Sequence, residues 1–85
     1  MQRTEFTYGQ LDKLLRSLGF SCRVDPSEPP TRVYEHKQSG ARVFLPTFPE
    51  DECVLEYHLV GVRTTLDGFN IVDATAFAKK LQKAS

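Results

Sequence analysis

Thr31-Arg32-Val33-Tyr34-Glu35-His36-Lys37-Gln38-Ser39-Gly40-Ala41-Arg42-Val43-Phe44-Leu45-Pro46 reads as two β-strands joined by a tight turn. Thr31 to His36 is rich in β-branched and aromatic side chains, which fit a pleated, half-buried surface. Lys37-Gln38-Ser39-Gly40 supplies the turn, with Gly40 able to take the positive φ that hairpin turns require. Ala41 to Leu45 is the returning strand. Pro46 and Pro49 end it, because proline brings no N–H to the ladder. Side chains alternate across a strand, so Arg32, Tyr34 and His36 share one side of the sheet.

Outward from this hairpin the chain keeps the same order of signals. Phe20 to Val24 alternates, with Phe20, Cys22 and Val24 on one side and Ser21 and Arg23 on the other, which predicts a short half-buried strand. Asp25-Pro26-Ser27-Glu28-Pro29-Pro30 cannot extend it and forms a stiff loop. Three strands in sequence make an antiparallel meander. Ahead of them, Thr7 to Leu18 reads as a helix: Thr7 and Gln10 fit a capping box, and Phe6 with Leu11 fits a hydrophobic staple. Leu11, Leu14, Leu15 and Leu18 form its apolar stripe, and Gly19 is placed for a left-handed ending.

Beyond the meander, Glu52 or Cys53 to Asp67 predicts a second helix, with Leu55, Leu59, Val62 and Leu66 along one face. Glu50, Asp51 and Glu52 fall at its start, where negative charge suits the helix dipole. Gly68-Phe69 repeats the Gly19-Phe20 ending. Asp73 caps a third, short helix to about Lys83, with Phe77 and Leu81 as its packing residues. The order α-β-β-β-α-α predicts the α+β class, an antiparallel sheet with helices on one face.

The chain has 85 residues, enough for a single domain spanning residues 1–85 with one two-layer core. There is little room to enclose a large cofactor, and none is expected. Eleven basic and eleven acidic side chains cancel, which argues against a strongly basic nucleic-acid binder. The distribution is uneven, however, so a locally basic face on a neutral protein remains compatible with the sequence. The opening residues are polar, with no apolar run after them, and no stretch approaches the ~18 apolar residues of a membrane span. The expectation is a cytoplasmic protein, not bound to a membrane, with two free thiols.

Three stretches resemble the HicA family of toxin–antitoxin toxins. They are Leu11-x-x-Leu14-Leu15-x-x-x-Gly19-Phe20; the hairpin residues Val33-Tyr34-Glu35-His36, Gly40 and Val43-x-Leu45-Pro46; and, more loosely, His58-Leu59-x-x-Val62-Arg63-x-x-Leu66. The resemblance spans roughly residues 7–69, and the hairpin is its most telling part. It implies a double-stranded-RNA-binding-domain-like α-β-β-β-α core, here with an extra C-terminal helix, and metal-independent endoribonuclease activity. It also implies RNA and a HicB-like antitoxin protein as partners. The family's hairpin strand normally begins with Gly-Ser-His, whose histidine acts in RNA cleavage. Counting back from Tyr34, that motif falls on Pro29-Pro30-Thr31. Threonine is not basic, and the next residue, Arg32, stays protonated above pH 12, so neither replaces an imidazole and hydrolysis is in question.

Two imidazoles remain. His36, on the side of Arg32 and Tyr34, is the candidate catalytic residue, with the arginine as a phosphate holder; the plain alternative is a hairpin-end histidine packed beside a turn. His58, beside Tyr57 near the start of the second helix, reads as a partly buried helix histidine kept neutral by the positive helix end. Cys22, Cys53, His36 and His58 do not have zinc-ligand spacing, so no metal is expected. Thr31, Arg32, Lys37 and Arg42, with Lys13 and Arg16 on the first helix, are the candidate RNA-phosphate contacts; otherwise they only solubilise the sheet. Two functions follow: a HicA-type toxin-like RNA-binding domain with lost or altered ribonuclease activity, or a catalytically inactive module that binds a HicB-like antitoxin or another protein. Fold alone does not choose between these and a domain whose likeness is purely structural.

Overall fold

The computed structural model describes residues 2–26, 28, 30–47 and 49–83. Its elements, in chain order, are β1 (Arg3–Thr7), α1 (Tyr8–Ser17), β2 (Phe20–Asp25), β3 (Thr31–His36), β4 (Ala41–Pro46), β5 (Cys53–Leu55), α2 (Glu56–Gly68) and α3 (Ala74–Lys83). The result is an α+β fold with three helices and two antiparallel sheets, a β2-β3-β4 meander and a β1-β5 ribbon. Pro29, where the Gly-Ser-His motif would begin, lies outside the described residues.

The first helix starts where its capping residues direct. Thr7 is extended, its hydroxyl accepts from the Gln10 N–H, and the Gln10 side chain accepts from the Thr7 N–H at 2.8 Å. These two bonds satisfy donors that a helix start otherwise leaves orphaned. Leu11, Leu14 and Leu15 are buried. Gly19 then takes φ +97, a left-handed value costly for any residue with a Cβ, and turns the chain into β2.

The meander has an unbroken register. Phe20, His36 and Ala41 lie abreast, then Ser21, Glu35 and Arg42, then Cys22, Tyr34 and Val43, and so on to Asp25, Thr31 and Pro46. Alternation assigns the faces. Phe20, Tyr34, Ala41, Val43 and Leu45 turn toward the helices and join one core with Val54, Val62, Leu66, Phe77 and Leu81. Ser21, Arg23, Asp25, Thr31, Val33, Glu35, Arg42, Phe44 and Pro46 occupy the opposite face. There Phe44 is 60% exposed, while Val33, between its register partners Arg23 and Phe44, is only 2% exposed.

Three features depart from the sequence expectation. Residues 53–55 form a strand, so α2 begins at Glu56 and not at Glu52 or Cys53. Their partner is β1, a strand the polar opening did not announce; Arg3 pairs with Leu55 and Thr7 with Cys53, and the Thr4 hydroxyl donates to the Val54 carbonyl at 3.0 Å. The backbone of residues 50–52 consequently meets the start of α1 rather than that of α2. The Glu52 and Glu50 carbonyls accept from the Tyr8 and Gly9 N–H groups, each at 2.9 Å. A Cβ on Gly9 would sit 3.1 Å from the Glu50 oxygen, so glycine permits this approach. Finally, α2 does not end as α1 does. Gly68 is still helical, Phe69 is exposed, and Asn70 takes the left-handed position at φ 56. The Asn70 and Ile71 N–H groups donate back to the Asp67 and Leu66 carbonyls, a Schellman ending built on asparagine.

Candidate nucleic-acid interface

The residues expected to meet RNA fall into separate groups. Arg32 lies on the helix-facing side of β3, in register with Val24 and Leu45. Beside it the buried Tyr34 hydroxyl donates to Asp12 Oδ1 at 2.7 Å. From α1, Arg16 Nε donates to both Asp12 oxygens, at 3.2 and 3.0 Å. Burial first, then the Asp12 bond, raises the Tyr34 pKa. Contact with the Tyr34 hydroxyl raises that of Arg32, and the Asp12 bond that of Arg16. The fold thus brings Arg16 and Arg32 together around one tyrosine–carboxylate pair, and ties the first helix to the sheet.

His36 is not beside Arg32. It shares the face but lies four residues along the strand, about 13 Å at ~3.3 Å per residue. Its Nδ1 accepts from the Ser39 N–H at 3.3 Å and meets the Ser39 hydroxyl at 2.8 Å, while that hydroxyl oxygen accepts from the Ala41 N–H. The ring packs on Phe20 with centroids 5.0 Å apart, and a Cβ on Gly19 would lie 3.5 Å from Nε2. The basic nitrogen is therefore committed to the hairpin turn. A proton acceptor needs that lone pair open to substrate, so this geometry favours the structural role of His36 over the catalytic one.

On the open face of the meander Arg23 Nε donates to Glu35 Oε1 at 2.9 Å, and Arg42 Nε lies 3.8 Å from Glu35 Oε2. The Arg23 bond, then the Arg42 charge, lowers the Glu35 pKa. Two arginines share the Glu35 carboxylate next to Phe44, and Asp25 brings this face to an even balance of arginines and carboxylates. Thr31 closes the same face at its far end, in register with Asp25 and Pro46. Lys37 stands at the turn, around a depression shared with Glu35, His36 and Arg42. Lys13 is elsewhere, lining a depression with Asp12, Glu50 and Asp51, whose carboxylates compete with any phosphate for it. Arg23 joins this group although it is not among the residues expected from the sequence; its diagonal ion pair with Glu35 brings it in.

A second place of interest lies at the free edge of β4. A cleft of about 220 Å³ separates that edge from α2 and is lined by Arg42, Phe44, Tyr57, His58, Gly61 and Thr65 among others. His58 Nδ1 lies 2.9 Å from the hydroxyl of Tyr8, itself 4% exposed, and that hydroxyl also accepts from the Leu55 N–H at 3.3 Å. Tyr57 packs on the imidazole with centroids 4.1 Å apart. Burial lowers the His58 pKa, so the ring is neutral at pH 7. His58 is thus oriented through one nitrogen, and among the described residues nothing is bonded to the other.

Cys22 and Cys53 are half-buried thiols, and the described residues contain no group of three His, Cys, Asp or Glu able to hold a metal ion. No helix among them is long and apolar enough to cross a membrane. Comparison with family models, with curated proteins and with solved structures returns no match.

Proposed function

We propose that this chain is a HicA-type toxin-like RNA-binding domain, related in core arrangement to the double-stranded-RNA-binding domain, whose ribonuclease activity is lost or altered. One observation carries the binding half of this reading: the uncovered face of the β2-β3-β4 sheet places Arg23 and Arg42 beside the exposed Phe44. Guanidinium groups neutralise phosphates and an exposed ring stacks on bases, which is how sheet surfaces take up single-stranded RNA. The loss or alteration of cleavage follows from Thr31 at the expected histidine position and from His36 being held in the turn.

Binding of a fluorescent RNA oligonucleotide, measured by anisotropy against salt, tests the proposal. Each phosphate neutralised on a single strand contributes about −0.7 to the slope of log K against log salt. Replacing both Arg23 and Arg42 with alanine should flatten that slope by about 1.4. Wild-type protein that binds no RNA at low salt ends the proposal.

The alternative, a protein-binding module, is favoured by a groove of about 470 Å³ between β1, α2 and α3, with Phe6, Leu59, Phe77 and Leu81 on its apolar floor and Arg3 and Arg63 among its lining residues. It predicts a stable complex with the product of an adjacent antitoxin-like reading frame, lost on Leu59→Asp. Co-expression that yields the chain alone rejects it.

A further inference from the structure

The β4–α2 cleft differs from the depressions around it in what lines it. Phe44, on the edge strand, and Tyr57, in the first turn of α2, are 60% and 53% exposed, although both are large aromatic rings in a small domain. One face of Tyr57 is already covered by His58. Gly61 lines the cleft one helical turn further on, and a Cβ there would meet nothing within 4 Å, so the helix surface opens at that point. At about 220 Å³ the cleft is below the ~300–1,000 Å³ that accommodates drug-sized ligands. It suits one planar ring system rather than a whole nucleotide. Arg42 connects it to the open sheet face, where the phosphates would run.

We infer that this cleft receives a single unpaired nucleobase, stacked on the exposed face of Tyr57, flanked by Phe44 at the open-face rim and hydrogen-bonded at its edge by His58, with Arg42 on the adjoining phosphate. The inference rests on the RNA-binding reading and narrows it to single-stranded RNA, since a base held in a duplex cannot leave its stack without a cost of a few kcal/mol. The imidazole is suited to reading a base edge. Its Nδ1 is pinned by the Tyr8 hydroxyl, so the ring cannot swing away, and Nε2 is left to meet the ligand. A neutral ring offers a single directed hydrogen bond rather than a diffuse charge, which gives preference among bases rather than general affinity.

The test is anisotropy titration of a short 3′-labelled RNA, its duplex form, and the same strand with one abasic position walked along it. Single strand should bind more tightly than duplex, and one abasic position should weaken binding far more than its neighbours. Phe44→Ala and Tyr57→Ala should each weaken single-strand binding by about 5- to 140-fold, the range for removal of a base-stacking ring. Both rings are exposed, so unchanged circular dichroism is expected of each variant. His58→Gln should change the ranking of homopolymers while the salt slope stays as in wild type. Salt-dependent binding that is blind to abasic positions, or equal for duplex and single strand, overturns the inference, leaves the RNA-binding reading standing and points to a peptide strand as the occupant of the β4 edge. Absence of RNA binding altogether overturns both.

Discussion

Removing one oxygen atom, in Tyr8→Phe, tests whether the core and the β4–α2 cleft are joined as described. Tyr8 opens α1, is 4% exposed, and its hydroxyl meets both the Leu55 N–H and His58 Nδ1. Phenylalanine keeps the ring and its packing, so no cavity larger than the lost oxygen is made. What remains is a half-buried imidazole nitrogen and a backbone N–H at the end of β5, both deprived of a partner. Each lost hydrogen bond costs about 0.5–1.5 kcal/mol, and a group left buried without a partner somewhat more. The variant should therefore be destabilised by about 2 kcal/mol. For a domain of this size that lowers Tm by about 8–16 °C. Urea unfolding followed by circular dichroism should show a lower midpoint with an unchanged m value, because the surface exposed on unfolding is the same. Tyr57→Phe, at a ring more than half exposed, is the control and should change stability by less than about 0.5 kcal/mol. A Tyr8→Phe variant as stable as that control would refute the argument that this hydroxyl holds α1, β5 and the first turn of α2 together.

Three further outcomes follow from the same geometry. Burial among Tyr8 and Tyr57 holds the His58 pKa below its ordinary 6.5, so between that lower value and 6.5 the unfolded chain binds more protons than the folded one and stability rises with pH; a Tm measured across that window should fall on acidification, and His58→Gln should flatten the fall. Thr7→Ala removes one half of the capping box and should cost about 0.5–2 kcal/mol in chemical denaturation. Tyr34→Phe leaves Asp12 with Arg16 but deprives it of the hydroxyl at 2.7 Å; it should lower stability by about 1–3 kcal/mol with little change in RNA binding, and a loss of binding at unchanged stability would contradict the structural role given to that cluster.

The meander was legible because each of its signals is local. Thr31–His36 coincides with the expected strand, and Gly40 takes φ +80 in the expected turn. The α1 cap could be read from Thr7 and Gln10 alone. The β1–β5 ribbon could not. Its strands lie about fifty residues apart, β5 is three residues long, and Arg3-Thr4-Glu5-Phe6-Thr7 carries no apolar alternation. Cys53-Val54-Leu55 has no period of its own, and it adjoins a helical pattern that absorbed it. The acidic run was misplaced for the same reason: its backbone carbonyls meet a helix start about forty residues back, a contact its side chains do not announce. Asn70 replaced Gly68 as the helix terminator because asparagine also tolerates the left-handed region, which makes a Gly-based stop ambiguous.

The candidate site was obscured by parity. Arg32 and Arg42 look interchangeable as residues of one basic hairpin, yet the register sets Arg32 in the row of Val24 and Leu45 on the helix side, and Arg42 in the row of Ser21 and Glu35 on the open side. A one-residue difference in phase decides which guanidinium anchors Tyr34 and which stands exposed beside Glu35. The same parity pairs Arg42 with Arg23, an arginine from a different strand. Glu35 between them lowers the charge of the face while holding both guanidiniums in place. With Asp25 on the same face its charges balance, so under the RNA-binding proposal affinity would rest on few phosphates and on stacking. Under that proposal the exposed rings of Phe44 and Tyr57, rather than the count of lysines and arginines, would supply most of the affinity.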